Sequence, residues 1–135
     1  MTIYSYIVRS DYGGAPCINN NILTLGICKP KIRKHANKND YIVGLVGKDL
    51  KRKCNRNIDD VCILYIAQIT DKVTIEEYYN KYQDRDDCIY NHKLELLPNQ
   101  FHNRKCVSTD LSGKNILIST NYIFFGDQYI TIREE

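Results

Sequence analysis

Arg9, Asp11 and Tyr12, followed by Gly13-Gly14, are the residues whose types and spacing bear most directly on chemistry. A guanidinium at the end of a strand can grip a phosphate, or the edge of a guanine, through two parallel N–H bonds. The same guanidinium could instead pair with Asp11. Asp11 could orient Arg9 or accept from a base amino group. Tyr12 could stack on a base, worth about 1–3 kcal/mol where such platforms are measured, or close a core. Gly13 and Gly14 permit close backbone approach. A second group, Lys29, Arg33 and Lys34, offers the best candidates for phosphate contacts, with His35 beside it reading as a surface histidine. Lys51, Arg52 and Lys53 read as peripheral charges that add salt-sensitive, non-specific affinity.

The second half carries fewer such residues. Asp87, Tyr90 and Asn91 form a polar cluster in the sequence, and an Asp with an amide can read a base edge. Phe124, Phe125 and Gly126 could wall a pocket, or the rings could pack in the core. His102 and Asp110 would make an acid–base pair if the fold brought them together. Cys88, His92, His102 and Cys106 have loosely symmetrical spacing, but not the paired spacing of a zinc site. The residues call for no metal and no cofactor. No Ser-His-Asp order, H-E-x-x-H, P-loop or G-x-G-x-x-G occurs, so no complete catalytic signature is present.

Charge is uneven. Between Cys28 and Arg56 stand ten Lys or Arg against two acids, a local charge of +8; the whole chain is +3, so the remainder carries −5. Such a block is an electrostatic footprint for phosphate or another polyanion. Heavy use of Asn, Lys, Ile and Tyr also suggests an A/T-rich genome, as in some viruses, phages and bacteria.

The elements that must position these residues follow from pattern. Residues 2–9 alternate like a half-buried strand, and Asp11 to Asn21 reads as a loop. Ile22 to Cys28 is a second strand, ended by Pro30. Lys31 to Asn37 is a helical turn or a basic loop. Asp40 to Gly47 is a strong strand, launched by the polar turn Asn39-Asp40. Lys48 to Asp60 has no periodicity and reads as a mobile loop. Val61 to Thr70 should be a central buried strand. Thr74 to Tyr82 is the best helix, with Thr74 and Glu77 spaced as a capping box. Ile89 to Leu97 is ambiguous, and Pro98 to Ser108 reads as loop. Strands are expected at Asn115 to Thr120, Tyr122 to Phe125 and Gln128 to Ile132. The sum is an α+β fold, a small PUA-like β-barrel or strongly bent mixed sheet with one or two helices.

A length of 135 residues points to a single domain, 1–135. No apolar run is long enough for a membrane helix, and no secretory signal is visible. An intracellular location is therefore expected: cytoplasm, or the nucleus of a host cell if the source is viral. The six cysteines show no C-x-x-C and no tight framework, so reduced thiols are expected.

The strings YIVRSDYGGAP and CKPKIRKHANKNDYIVG resemble the nucleotide-modification-associated domain family, second type. The resemblance continues through ILYIAQITDKVTIEEYY, DCIYN and GKNILISTNYIFFGD, nearly the whole chain. Asn39 stands where that family usually has Gly, Asn91 where a His is common, and the region after Leu94 is shorter. A looser similarity to PUA-like barrels, including the EVE and ASCH groups, implies RNA binding or the reading of modified bases. The reading that results is a non-enzymatic nucleic-acid or nucleotide-binding module tied to modified bases. Its basic N-terminal site would comprise Arg9, Asp11, Tyr12, Gly13, Lys29, Arg33 and Lys34, with Asp87, Tyr90 and Asn91 contributing. The alternatives are an enzyme acting on a nucleotide or modified base, with Asp87, His102 or Asp110 in acid–base roles, and a viral protein that sequesters a signalling nucleotide or blocks a host factor. No membrane partner is expected.

Overall fold

The computed structural model describes residues 1–132. Its strands are β1 (Ile3–Val8), β2 (Cys17–Asn19), β3 (Ile22–Leu25), β4 (Tyr41–Val46), β5 (Val61–Gln68), β6 (Asp71–Thr74), β7 (Asn115–Ser119), β8 (Asn121–Phe124) and β9 (Ile130–Ile132). Its helices are α1 (Pro30–His35), α2 (Lys48–Lys53), α3 (Ile75–Lys81) and α4 (Val107–Ser112), the last entered through a single 3-10 turn at Arg104–Cys106. One sheet runs β1-β4-β5-β8, with β9 pairing the first half of β5. β1 and β4 are parallel, and the other pairs of that sheet are antiparallel. The second sheet, β2-β3-β7-β6, is antiparallel throughout. The α+β class expected from the sequence stands, and one sheet is indeed mixed. The two sheets do not close into a barrel, however, and four short helices replace the one or two expected.

The second sheet is covered on both sides. Leu23, Leu25 and Leu117 join Tyr6, Val8, Ile42, Leu64 and Tyr65 of the first sheet in one buried cluster. On the other face Ile116 and Ile118 join Ile75 and Tyr78 of α3 and the segment Cys88–Tyr90 in a second. This explains why β3 and β7 are buried along nearly their whole length, whereas β1 alternates, with Tyr6 and Val8 inside and Ile3, Ser5 and Ile7 outside. Burying about 25 cal/mol per Å² of apolar surface makes these two clusters the main stabilising layers.

Two expected loops contain structure. Within Asp11 to Asn21, Cys17–Asn19 pairs with β3 across Asn20 and Asn21, both at positive φ (52° and 61°). That is the conformation a two-residue hairpin turn needs, and asparagine tolerates it. Within Lys48 to Asp60, α2 forms because Leu50 and Cys54, four residues apart, both pack against the first cluster. Lys51 is buried, and its Nζ donates to the carbonyls of Ile58 (3.0 Å) and Asp60 (2.6 Å), tying down the segment that follows. In α3 the capping box is formed: Thr74 Oγ1 accepts from the Glu77 N–H at 3.2 Å, and Glu77 Oε1 accepts from the Thr74 N–H at 3.5 Å.

Asp40 fastens the start of β4. Its carboxylate accepts the N–H of Asn37 and that of Thr2, each at 2.9 Å. These bonds, Asn37's first, hold the carboxyl below its usual range. A lowered carboxyl pKa stabilises the fold at pH above the ordinary value of about 4 and withdraws that stability as pH falls through the lowered one. Asp40→Asn should therefore be less stable near neutrality, with a shallower acid limb in chemical denaturation followed against pH. Parallel acid limbs for the two proteins would show that the tie carries no weight.

Candidate functional site

The chain leaves β3 through Gly26 and Ile27 and turns sharply at Cys28 and Lys29 before α1. Both turn residues are left-handed, with φ of 57° and 45°. Side chains rarely adopt this region, and each such residue costs about 1–3 kcal/mol unless its surroundings hold it. Here they do. The Cys28 N–H donates to Asp110 Oδ1 at 2.9 Å, and the Cys28 carbonyl accepts from Arg33 Nη1 at 3.0 Å. Arg33 Nε donates to the Asn115 carbonyl at 2.9 Å. The guanidinium lies against Gly113, where a Cβ would come within 2.8 Å of Arg33 Cζ and push the guanidinium from its place.

The held cysteine faces a relay. Cys28 Sγ lies 3.2 Å from His102 Nε2. The other ring nitrogen, Nδ1, bonds Asp110 Oδ2, and the Tyr90 hydroxyl donates to the same oxygen at 2.7 Å. Asp110 is fully buried and also takes the Cys28 N–H. An ionised carboxylate only accepts, so the ring proton bonding it sits on Nδ1 and Nε2 faces the thiol. His102 is itself fixed by Asn99, whose Oδ1 accepts from the Phe101 N–H at 2.8 Å and the His102 N–H at 2.7 Å. Burial, and then the Asp110 carboxylate, push the Cys28 thiol up, so it rests protonated. A nucleophile, a base within hydrogen-bond reach and a third group orienting the base are the parts of nucleophilic catalysis.

Cys28 lines a cleft of about 220 Å³ whose walls also include Tyr6, Arg9, Ser10, Tyr12 and Lys29. Lys29 Nζ sits 5.2 Å from the Tyr6 ring centre, within cation–π range. Tyr12 is 49% exposed, with its ring 5.4 Å from that of Phe101. On its other side Arg9 borders a second groove, of about 520 Å³, shared with Asp11, Tyr12, Asp49, Arg52 and Lys53. Burial raises the Asp11 carboxyl above its ordinary range. Ion pairs among the described residues join Arg52 to Asp49, Arg85 to Asp87 and His102 to Asp110, so Arg9 does not pair with Asp11.

Arg9, Asp11, Tyr12 and Lys29 are therefore brought to adjoining grooves, and Gly13 supplies their turn at φ 92°. Arg52 and Lys53, read as peripheral, border the same region. The remaining expected site residues lie elsewhere. Arg33 is fully buried, its guanidinium spent on carbonyls rather than facing a phosphate. Lys34 is exposed on α1, and its carbonyl accepts from Lys72 Nζ at 3.0 Å. Asp87, Tyr90 and Asn91 are not one cluster: Asp87 is buried with Thr24, Tyr78 and Arg85, Tyr90 serves Asp110, and Asn91 Oδ1 accepts from the N–H groups of Lys93 and Glu95 to close a turn. Phe124 lies on β8, 36% exposed, away from the cleft walls.

His102 and Asp110 do meet, as their types suggested, but in the sequence Cys28 marks only the end of a strand. Its partners lie 74 and 82 residues away in sequence. The available signal was Cys-Lys-Pro between a strand and a helix, a place for a sharp turn. Of the cysteines and histidines with symmetrical spacing, only His102 enters a group of close donor atoms among the described residues, the one with Cys28 and Asp110, all within 4.8 Å. Its ring stands between those two with a nitrogen toward each, so a metal held there would have to displace one of the two bonds.

Residues 1–135 match the model of the family described as nucleotide modification associated domain 2. No curated protein and no solved structure matches the chain. No helix among the described residues is long and apolar enough to cross a membrane.

Proposed function

The chain belongs to the nucleotide modification associated domain 2 family, and from that premise we propose that it binds a nucleotide, or a nucleotide unit of a nucleic acid, across the Arg9 ridge. The observation that carries this reading is the convergence of Arg9 and Tyr12 with Lys29, from separate segments, on one cleft. Arg9, Arg52 and Lys53 would take the phosphate in the outer groove, where Asp49 offsets part of their charge. The half-exposed Tyr12 ring would take a base face. Sequestration of a nucleotide uses the same site and needs nothing more.

Thermal shift with nucleoside monophosphates, modified nucleosides and short oligonucleotides at low salt tests it. A binder at 100 times its dissociation constant should add about 2.7 kcal/mol of stability. Arg9→Ala should weaken the best binder roughly 10- to 100-fold, the loss of a charge-assisted bond of about 1.5–3 kcal/mol, and should reduce the salt slope by about one charge. If no member of the three classes shifts the melting temperature, the reading is lost. Cys28 lines the same cleft, and His102 and Asp110 are buried behind it, an arrangement that favours a catalytic role for the site.

A further inference from the structure

We infer that Cys28, His102 and Asp110 form a nucleophilic centre that cleaves an amide or ester carbonyl carried by the molecule seated in the Tyr12–Lys29 cleft. The nucleotide reading is used only for what fills the cleft; the nucleophile rests on its own geometry. Sγ and Nε2 are within hydrogen-bond reach, Nδ1 is anchored on a buried carboxylate, and the cysteine backbone is held in a left-handed turn by Asp110 and Arg33. Cys28 also lines the cleft, which a structural cysteine need not do. A peptide unit pinned from both sides, with a histidine aimed at the sulfur, costs strain that packing alone does not explain.

The step balances without an outside oxidant. As Sγ approaches the carbonyl carbon, its proton passes to His102 Nε2 and its lone pair forms the S–C bond. The C=O π pair moves to oxygen, with the Lys29 ammonium as the cation available in the cleft. The π bond re-forms, the bond to the leaving nitrogen or oxygen breaks, and that group takes the proton from Nε2. Water then attacks the thioester, gives a proton to Nε2, and releases the acid while the proton returns to sulfur. Asp110 steadies the imidazolium throughout without becoming protonated. A thiol that rests protonated suits attack coupled to proton transfer, and it argues against a standing thiolate of the redox-sensor kind.

The test uses p-nitrophenyl acetate, an activated ester, on the whole protein, with acetylated cysteines located by mass spectrometry. Cys28 should acetylate at least about tenfold faster than Cys54 and Cys106, which are comparably exposed. His102→Gln should lower that rate about 100-fold, the usual contribution of a general base, and change its pH profile, which a merely structural histidine would not do. The charged and titratable groups around the sulfur that set this profile are His102, Asp110, Lys29, Arg33, Cys106, Tyr12 and Tyr6. The comparison among cysteines requires no variant, so it decides the matter even if His102→Gln does not fold. Equal rates at the three cysteines would overturn the proposal, as would an unchanged rate and pH profile in His102→Gln. Stoichiometric zinc binding that depends on Cys28 and His102, with the metal-free protein unreactive, would assign the trio to a metal instead. Adenosine monophosphate should slow the acetylation. A reactive Cys28 that the nucleotide does not protect would keep the nucleophile and remove the nucleotide reading.

Discussion

Arg85→Ala is expected to lose about 3–5 kcal/mol of folding stability, the cost of breaking a buried charge pair from one side. Arg85 and Asp87 are both nearly inaccessible, so solvent screening does little to soften the loss. The guanidinium donates through Nε to the Tyr78 hydroxyl at 2.9 Å and through Nη1 to the Asn19 carbonyl at 2.9 Å. Nη2 donates to the carbonyls of Cys17 and Ile22, each at 3.0 Å, and to Thr24 Oγ1 at 3.1 Å. One side chain thus staples the β2–β3 hairpin to the layer behind the second sheet. Its removal leaves carbonyls unmet and Asp87 with only the Thr24 and Tyr78 hydroxyls against its charge. The midpoint of urea unfolding should fall with an unchanged slope, and the melting temperature by roughly 10–20 °C. Arg85→Lys should rescue little, since an ammonium has three donors and no fork. A loss under about 1 kcal/mol would mean that the network is idle.

The same network explains part of what the sequence concealed. Asp87 and Tyr90 stand three residues apart and invite a single polar site, yet they belong to two separate buried networks. Nothing local separates them; the division is made by α3 on one side and α4 on the other. Strands β1, β4 and β5 were legible because their alternation or apolar run is intrinsic to the segment. Helix α3 was legible because Thr74 and Glu77 announce its start. Helix α2 was hidden because six residues cannot display a helical period, and its anchoring depends on Leu50 meeting a core built by other strands. The short edge strands β2 and β6 were hidden for a related reason, as each exists only through its neighbour's ladder. At the site, the basic and aromatic residues were legible by type. The cysteine was not, because a thiol is chemically silent until a base is placed beside it, and that base comes from the far end of the chain.

Arg33 turns this difference into a measurement. By residue type, it belongs with Lys29 and Lys34 as a phosphate contact. By position, it is a fully buried brace on the Cys28 carbonyl and the Asn115 carbonyl, where burial lowers its pKa and Asp110's nearby charge offsets part of that. The two roles predict opposite signatures. A phosphate contact removed by Arg33→Ala would leave stability within about 0.5 kcal/mol, lower nucleotide affinity and reduce the salt slope by about one. A brace removed would cost roughly 3 kcal/mol, since buried carbonyls left unsatisfied cost about 1–3 kcal/mol each. Its salt slope would not change, and it would free the left-handed turn at Cys28 to relax. Because Arg33 Nη2 has no partner among the described residues, the loss should be smaller than for Arg85. Urea unfolding and the salt dependence of nucleotide affinity, measured on one Arg33→Ala preparation, should give the brace's pattern: a large loss of stability and an unaltered slope. A stable variant with a shallower slope would return Arg33 to the phosphate, and with it would go the account of how Cys28 is held.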